Sequence, residues 1–156
     1  MQLKNKVIFL FKQANIRAID QLILKINMQV YKFGGASTNS VERFGLSAAI
    51  IEKAAPQKLV LVISAMGKMT NALEAVTDRF FEGNTEEALN LFDKIKKAHL
   101  TTLKYLITVN WQAAENKLKD FFTEVEWLLH DKPVRNYAYY YDQIVCCGEL
   151  LSSTLM

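Results

Sequence analysis

Two short β-type runs with one helix-length segment between them constrain this chain more than any other feature. "MQVYKF" (Met28–Phe33) and "KLVLVISA" (Lys58–Ala65) enclose a segment that opens on Gly34 and Gly35 and closes at Pro56. Val30 and Tyr31 favour a strand in the first run. The second is continuously apolar, which suits a strand buried on both faces, as in a parallel sheet. Between them, Asn39 with Glu42 three residues on makes a capping pair, and Val41, Phe44, Ala48 and Ile51 recur at helical spacing. Strand, crossover helix and strand make a right-handed parallel unit. The expected class is therefore α/β, a mostly parallel sheet flanked by helices.

The rest of the chain is helix-rich. "MGKM" turns it, and Asn71 with Glu74 forms a second capping pair that opens a helix running to about Glu82. "EGNTEE" reads as a break and a new cap. Two helical stretches follow, roughly 85–108 and 113–130. One apolar face carries Leu89, Phe92, Ile95, Lys96 and Leu103, and the other Leu118, Phe122, Val125 and Leu129. Pro133 separates them from a last segment, "NYAYYYDQIVCCGELLSSTLM".

Both turns, "GGAST" and "SAMGKMT", leave the carboxyl edge of the strands, where ligands bind in such sheets. Glycines let a backbone approach a ligand and present its N–H groups. The helix behind adds a positive end that favours phosphate. Lys32 adds a mobile cation that can follow phosphate oxygens. Anion binding is the chemistry these parts support, although the stretch taken alone also fits an ordinary tight turn with a solvated lysine. Neither G-x-x-x-x-G-K-[ST] nor G-x-G-x-x-G occurs, and the protein-kinase motif set is missing.

Composition narrows the partners. The chain has 156 residues, enough for one domain with a real core. A hydrophobic share of 51% and a charged share of 22% read as soluble and globular. The net charge of +3 is small and dispersed, so no nucleic-acid or membrane partner is expected. Cys146 and Cys147 are adjacent, poor disulfide partners and too few for a metal site. Two reduced, mostly buried thiols are expected, which fits a cytoplasmic location. His99 reads as a packing histidine within a helix. Residues 1–27 have a basic start but no apolar run long enough for a signal or membrane segment. Met28 reads as the start of the folded unit, with residues 1–27 a leader or mis-called extension; a helix over Asn15–Ile26 is the alternative.

Three blocks in order carry a family resemblance. "VYKFGGAS" after a methionine resembles the opening of an aspartokinase, in the amino-acid kinase superfamily. "VLVISAMGKMTNAL" (Val60–Leu73) resembles that family's strand and turn before a Thr-Asn pair, and "CGELLSS" (Cys147–Ser153) its Gly-Glu helix start with a serine three residues later. Ala36 and Thr38 depart from the commoner Thr and Val of the opening. The resemblance spans Met28 to Met156 and implies the N-terminal part of an amino-acid kinase catalytic domain with a helix-rich insertion.

By that resemblance Lys32, Phe33, Gly34 and Gly35 form the ATP-phosphate segment, with Lys32 catalytic. Ser64, Thr70 and Glu149 line the L-aspartate pocket, Glu149 against the substrate ammonium. The implied reaction is ATP- and Mg²⁺-dependent phosphorylation of the aspartate side-chain carboxylate, the first step towards lysine, threonine and methionine. No protein-held metal is implied. The resemblance also implies a homo-oligomeric full-length protein, with the adenine site and the remaining catalytic groups beyond "SSTLM". This chain alone is then expected to be an inactive fragment. A bifunctional parent joined to homoserine dehydrogenase, and a non-enzymatic helical module, are the alternatives.

Overall fold

The computed structural model describes residues 28–54 and 58–156. The expectations for residues 1–27, for the Asn15–Ile26 helix and for Pro56 fall outside the described residues. Strands β1 (Met28–Phe33) and β2 (Lys58–Ile63) pair in parallel, with Met28 opposite Lys58 and Phe33 opposite Ile63. The strands therefore end level, and the chain leaves both at the same edge. Helix α1 (Val41–Ala54) connects them.

Helices α2 (Met69–Phe81), α3 (Thr85–Leu106), α4 (Trp111–His130), α5 (Tyr137–Val145) and α6 (Cys147–Leu155) follow β2. The chain is thus mixed α/β, dominated by helix. The core lies among these helices. Leu73, Val76 and Phe80 of α2 meet Phe92 and Ile95 of α3, Leu118 and Phe122 of α4, and Ile144 and Leu151 of α5 and α6. Phe92 and Phe122 pack edge to face at 6.1 Å, the geometry their ring quadrupoles favour.

Each break has a local cause. Gly83 takes φ 83° between α2 and α3, and Asn110 takes φ 57° before α4. Both conformations are left-handed, the region glycine and asparagine tolerate best. Asn136 caps α5 by accepting from the Tyr139 N–H at 3.0 Å.

Several local expectations need correction. Ser40, not Asn39, caps α1: its hydroxyl accepts from the Arg43 N–H at 3.2 Å. The buried side of α1 is Phe44, Ser47 and Ala54, while Ala48 is exposed. Strand β2 is not buried on both faces. Its residues alternate, leaving Val60 38% and Val62 44% exposed beside Val30 at 47%. Among the described residues, helices lie against only one side of the two strands. Helix α2 starts two residues before Asn71, which removes Asn71 as a cap. On α3 the fully inward positions are Ala88, Phe92, Ile95, His99 and Leu103. Lys96 lies at the margin of that face, bonded to Glu126 of α4. Cys147 is buried as expected, but Cys146 is exposed; both thiols are free.

Candidate phosphate and substrate site

Backbone close packing assembles this site. A Cβ on Gly35 would lie 2.8 Å from the Gly67 carbonyl oxygen and 3.1 Å from that of Ala65. Only glycine fits, because both obstacles are backbone atoms. The Gly67 N–H donates to the Gly35 carbonyl at 3.3 Å, and the Ser64 N–H to the Phe33 carbonyl at 3.0 Å. These bonds clamp the two turns together just beyond the ends of β1 and β2.

The third block arrives at the same place. A Cβ on Gly148 would lie 2.9 Å from the Ala65 Cβ and 3.0 Å from Leu73 Cδ1. The first turn of α6 therefore rests directly on the Ala65 turn. The Gly35 and Gly148 segments are far apart in sequence, yet both touch the stretch Ala65–Gly67 of the second block.

Several helical N-termini gather around that stretch. The turn Gly35–Ser37 is a short 3₁₀ helix entered through Gly34. Helix α1 begins beside Asn39, whose Cβ lies 3.7 Å from the Cβ position of Gly67. Helix α2 begins two residues after Gly67, with neither a side-chain cap nor an acidic residue in its first turn. The Met69 N–H donates to the Met66 carbonyl at 3.0 Å, but no acidic side chain offsets the positive dipole end, a condition that favours an anion at a helix start. Helix α6 carries Glu149 in its first turn, the one acid at these starts besides Glu42 of α1. Positive ends thus meet a carboxylate, a combination suited to a zwitterion beside a phosphate.

The expected site residues are placed as follows. Gly34 has open space on its Cβ side, leaving its backbone approachable, whereas Gly35 is packed. Phe33 is buried at the end of β1 and anchors the loop. Lys32 is exposed on the open face of β1, opposite Val62. Ser64 follows β2, Thr70 is the second residue of α2, and Glu149 is the third of α6; all three are half-buried. Among the described residues, none of the Lys32, Ser64, Thr70 and Glu149 side chains makes a hydrogen bond or ion pair with the protein. The structure brings Phe33, Gly34, Gly35 and Ser64 together with the helix starts that carry Thr70 and Glu149. Lys32 stands at the rim.

The sequence reading missed Arg43. It lines a groove with Phe33 and Ser37 beside the glycine turn, and Lys53 lies further along the same helix. A cation in the first turn of a crossover helix is the signal that could have found it. The reading also missed two tyrosine–carboxylate bonds between α5 and α2. Tyr141 donates to Glu74 at 2.6 Å and Tyr137 to Asp78 at 2.7 Å. Both phenols are raised in pKa, first by the bond to the carboxylate, Tyr137 up to about 12.

Other titratable groups lie outside the site. Burial pushes the Cys147 thiol up to about 12, so it is no nucleophile near neutral pH. Burial lowers the pKa of His99, whose Nδ1 lies 2.8 Å from the Ile95 carbonyl, confirming a packing histidine. A second groove, along the end of α3 and the start of α4, contains none of the site residues. Among the described residues no three His, Cys, Asp or Glu side chains cluster as a metal site, and no helix is long and apolar enough to cross a membrane. No protein-family model and no curated protein matches the chain.

Proposed function

We propose that this chain supplies the phosphate loop and the substrate pocket of an ATP-dependent aspartate kinase built on the amino-acid kinase fold. The observation that carries this reading is the meeting of three separate glycine-bearing blocks at Ala65–Gly67, at the carboxyl edge of a parallel strand pair. Chance similarity in one turn does not require the other two to pack on it.

In this reading the aspartate side-chain carboxylate attacks the γ-phosphorus of ATP, the bond to the β-phosphate oxygen breaks, and ADP leaves. The product is 4-phospho-L-aspartate. The substrate supplies its own nucleophile, so the protein aligns two anions and offsets their repulsion. The Gly34 backbone, the α1 and α2 N-termini and Lys32 stabilise charge on the transferring group. Glu149 binds the substrate ammonium through a charge-assisted bond, and Thr70 and Ser64 offer hydroxyls to the carboxylates. Mg²⁺ in such sites is held largely through phosphate oxygens, with one or two carboxylates. The open backbone at Gly34 leaves room for that phosphate group.

Thermal unfolding with ligands tests the reading. A ligand at 100 times its Kd adds ~2.7 kcal/mol of stability to a true binder. L-Aspartate is expected to raise the Tm and L-asparagine to raise it less. Absence of a shift with either L-aspartate or MgATP would leave a helical module with an ordinary glycine turn. In the protein extended through the remaining catalytic segments, aspartate-dependent acyl phosphate trapped as hydroxamate is the expected activity.

A further inference from the structure

The two missed tyrosine bonds form a ladder between α2 and α5. Glu74 and Asp78 are one helical turn apart on α2, as are Tyr137 and Tyr141 on α5. The rungs pair the earlier residue of one helix with the later residue of the other, so the helices run in opposite directions. The rings of Tyr137 and Tyr141 lie 5.9 Å apart. The rungs differ in setting: Tyr141–Glu74 is part-buried and Tyr137–Asp78 is exposed.

Position along the chain makes the first rung distinctive. Glu74 lies one turn after Thr70 on α2, on the same side of that helix. Tyr141 lies on α5, which leads through Cys146 straight into α6, Gly148 and Glu149. The rung therefore ties the helix that carries Thr70 to the segment that carries Glu149, between blocks 67 residues apart. Nothing else among the described side-chain hydrogen bonds joins those two blocks so close to the site. At the far end of this segment, Gly148 rests on Ala65 with no room for a methyl group. A shift of α5 along α2 must be taken up at that contact or by Glu149.

We propose that Glu74 and Tyr141 are positioning residues that set Glu149 relative to Thr70 and so fix the ammonium side of the aspartate pocket. The inference rests on the aspartate reading above. The residues touch no substrate; they act through the register of α5 and α6 on α2.

The test compares Tyr141→Phe with Tyr137→Phe in the full chain, at a temperature well below either Tm. Both remove one hydroxyl from the same ladder. L-Aspartate affinity is measured by calorimetric titration, and backbone amide shifts of Thr70, Gly148 and Glu149 by NMR. Tyr141→Phe is expected to weaken aspartate about three- to tenfold, leave MgATP unchanged and move the Gly148 and Glu149 amides. Tyr137→Phe is expected to change neither. Glu74→Gln keeps an acceptor oxygen and should stay within about twofold of wild type, whereas Glu74→Ala should behave like Tyr141→Phe. Wild-type aspartate affinity and unmoved Gly148 and Glu149 amides in Tyr141→Phe would overturn the inference. Equal effects of the two tyrosine variants would do the same, since they would mark a merely structural ladder. If the wild type binds no aspartate, the functional reading fails; the amide shifts of the two variants then decide the positioning claim by themselves.

Discussion

Gly148→Ala tests the contact on which the site is built. The added methyl would sit 2.9 Å from the Ala65 Cβ and 3.0 Å from Leu73 Cδ1. Leu73 Cδ1 ends a side chain that can rotate aside. Ala65 Cβ cannot, being fixed to the backbone between β2 and its turn. Overpacking of this kind typically costs about 1–3 kcal/mol. Alanine in a helix gains up to ~1 kcal/mol over glycine, and less in a first turn. The net expectation is a loss of about 1–2 kcal/mol, or a Tm fall of roughly 3–8 °C for a chain of this size. Gly45 of α1 supplies the control, because a Cβ there meets nothing within 4 Å. Gly45→Ala is expected to gain about 0.5–1 kcal/mol and raise the Tm. Thermal unfolding followed by circular dichroism reads both signs. Ala65→Gly removes the opposing methyl, so it should spare the double variant most of the loss that Gly148→Ala causes alone, a coupling that double-variant cycles measure. A Tm rise in Gly148→Ala equal to that of Gly45→Ala would refute the packing of α6 on the β2 turn, and with it the convergence of the three blocks.

Three further outcomes are expected. His99 is buried and its pKa is lowered by burial, so the unfolded chain takes up its proton first as pH falls. Its contribution is fully present above about pH 6.5 and is lost progressively below that, towards the lowered folded pKa; Tm measured from pH 7 to 5 should fall more steeply in wild type than in His99→Gln. Among the described residues the buried Ser152 hydroxyl has no hydrogen-bond partner, so Ser152→Ala should be neutral or stabilising, and a stability loss above about 1 kcal/mol would show a bond the geometry lacks. Under the proposed aspartate-kinase reading, Lys32→Ala should lower kcat by about 10²–10³. Glu149→Ala should mainly raise KM for aspartate, since the ammonium charge hardly changes during transfer; an effect of Glu149→Ala on ATP instead would refute its assigned role.

Local chemistry was legible in the sequence wherever one short segment decides the outcome. The β1 limits, the α4 core face of Leu118, Phe122, Val125 and Leu129, and the breaks at Gly83 and Pro133 follow from residue type and spacing. Each depends on neighbours within a turn or a strand. The cap of α1 was misplaced by one residue, because Asn39 and Ser40 are both competent acceptors and only the path of the chain chooses between them. Burial of β2 was misjudged for a different reason. An apolar run states that a face could be covered, not what covers it, and here Val60 and Val62 face outward. Ala48 and Lys96 were misplaced similarly, since helical spacing leaves the edges of an apolar stripe undecided. What only the tertiary structure decided is the site. Gly35, Ala65, Gly67 and Gly148 are unrelated by any local rule; they meet because Gly35 lacks the Cβ that would strike the Ala65 and Gly67 carbonyls, and Gly148 the Cβ that would strike the side chains of Ala65 and Leu73. The Glu74–Tyr141 bond is of the same kind: spacing places each residue on its helix, but only the packing of α5 on α2 brings carboxylate and phenol within 2.6 Å.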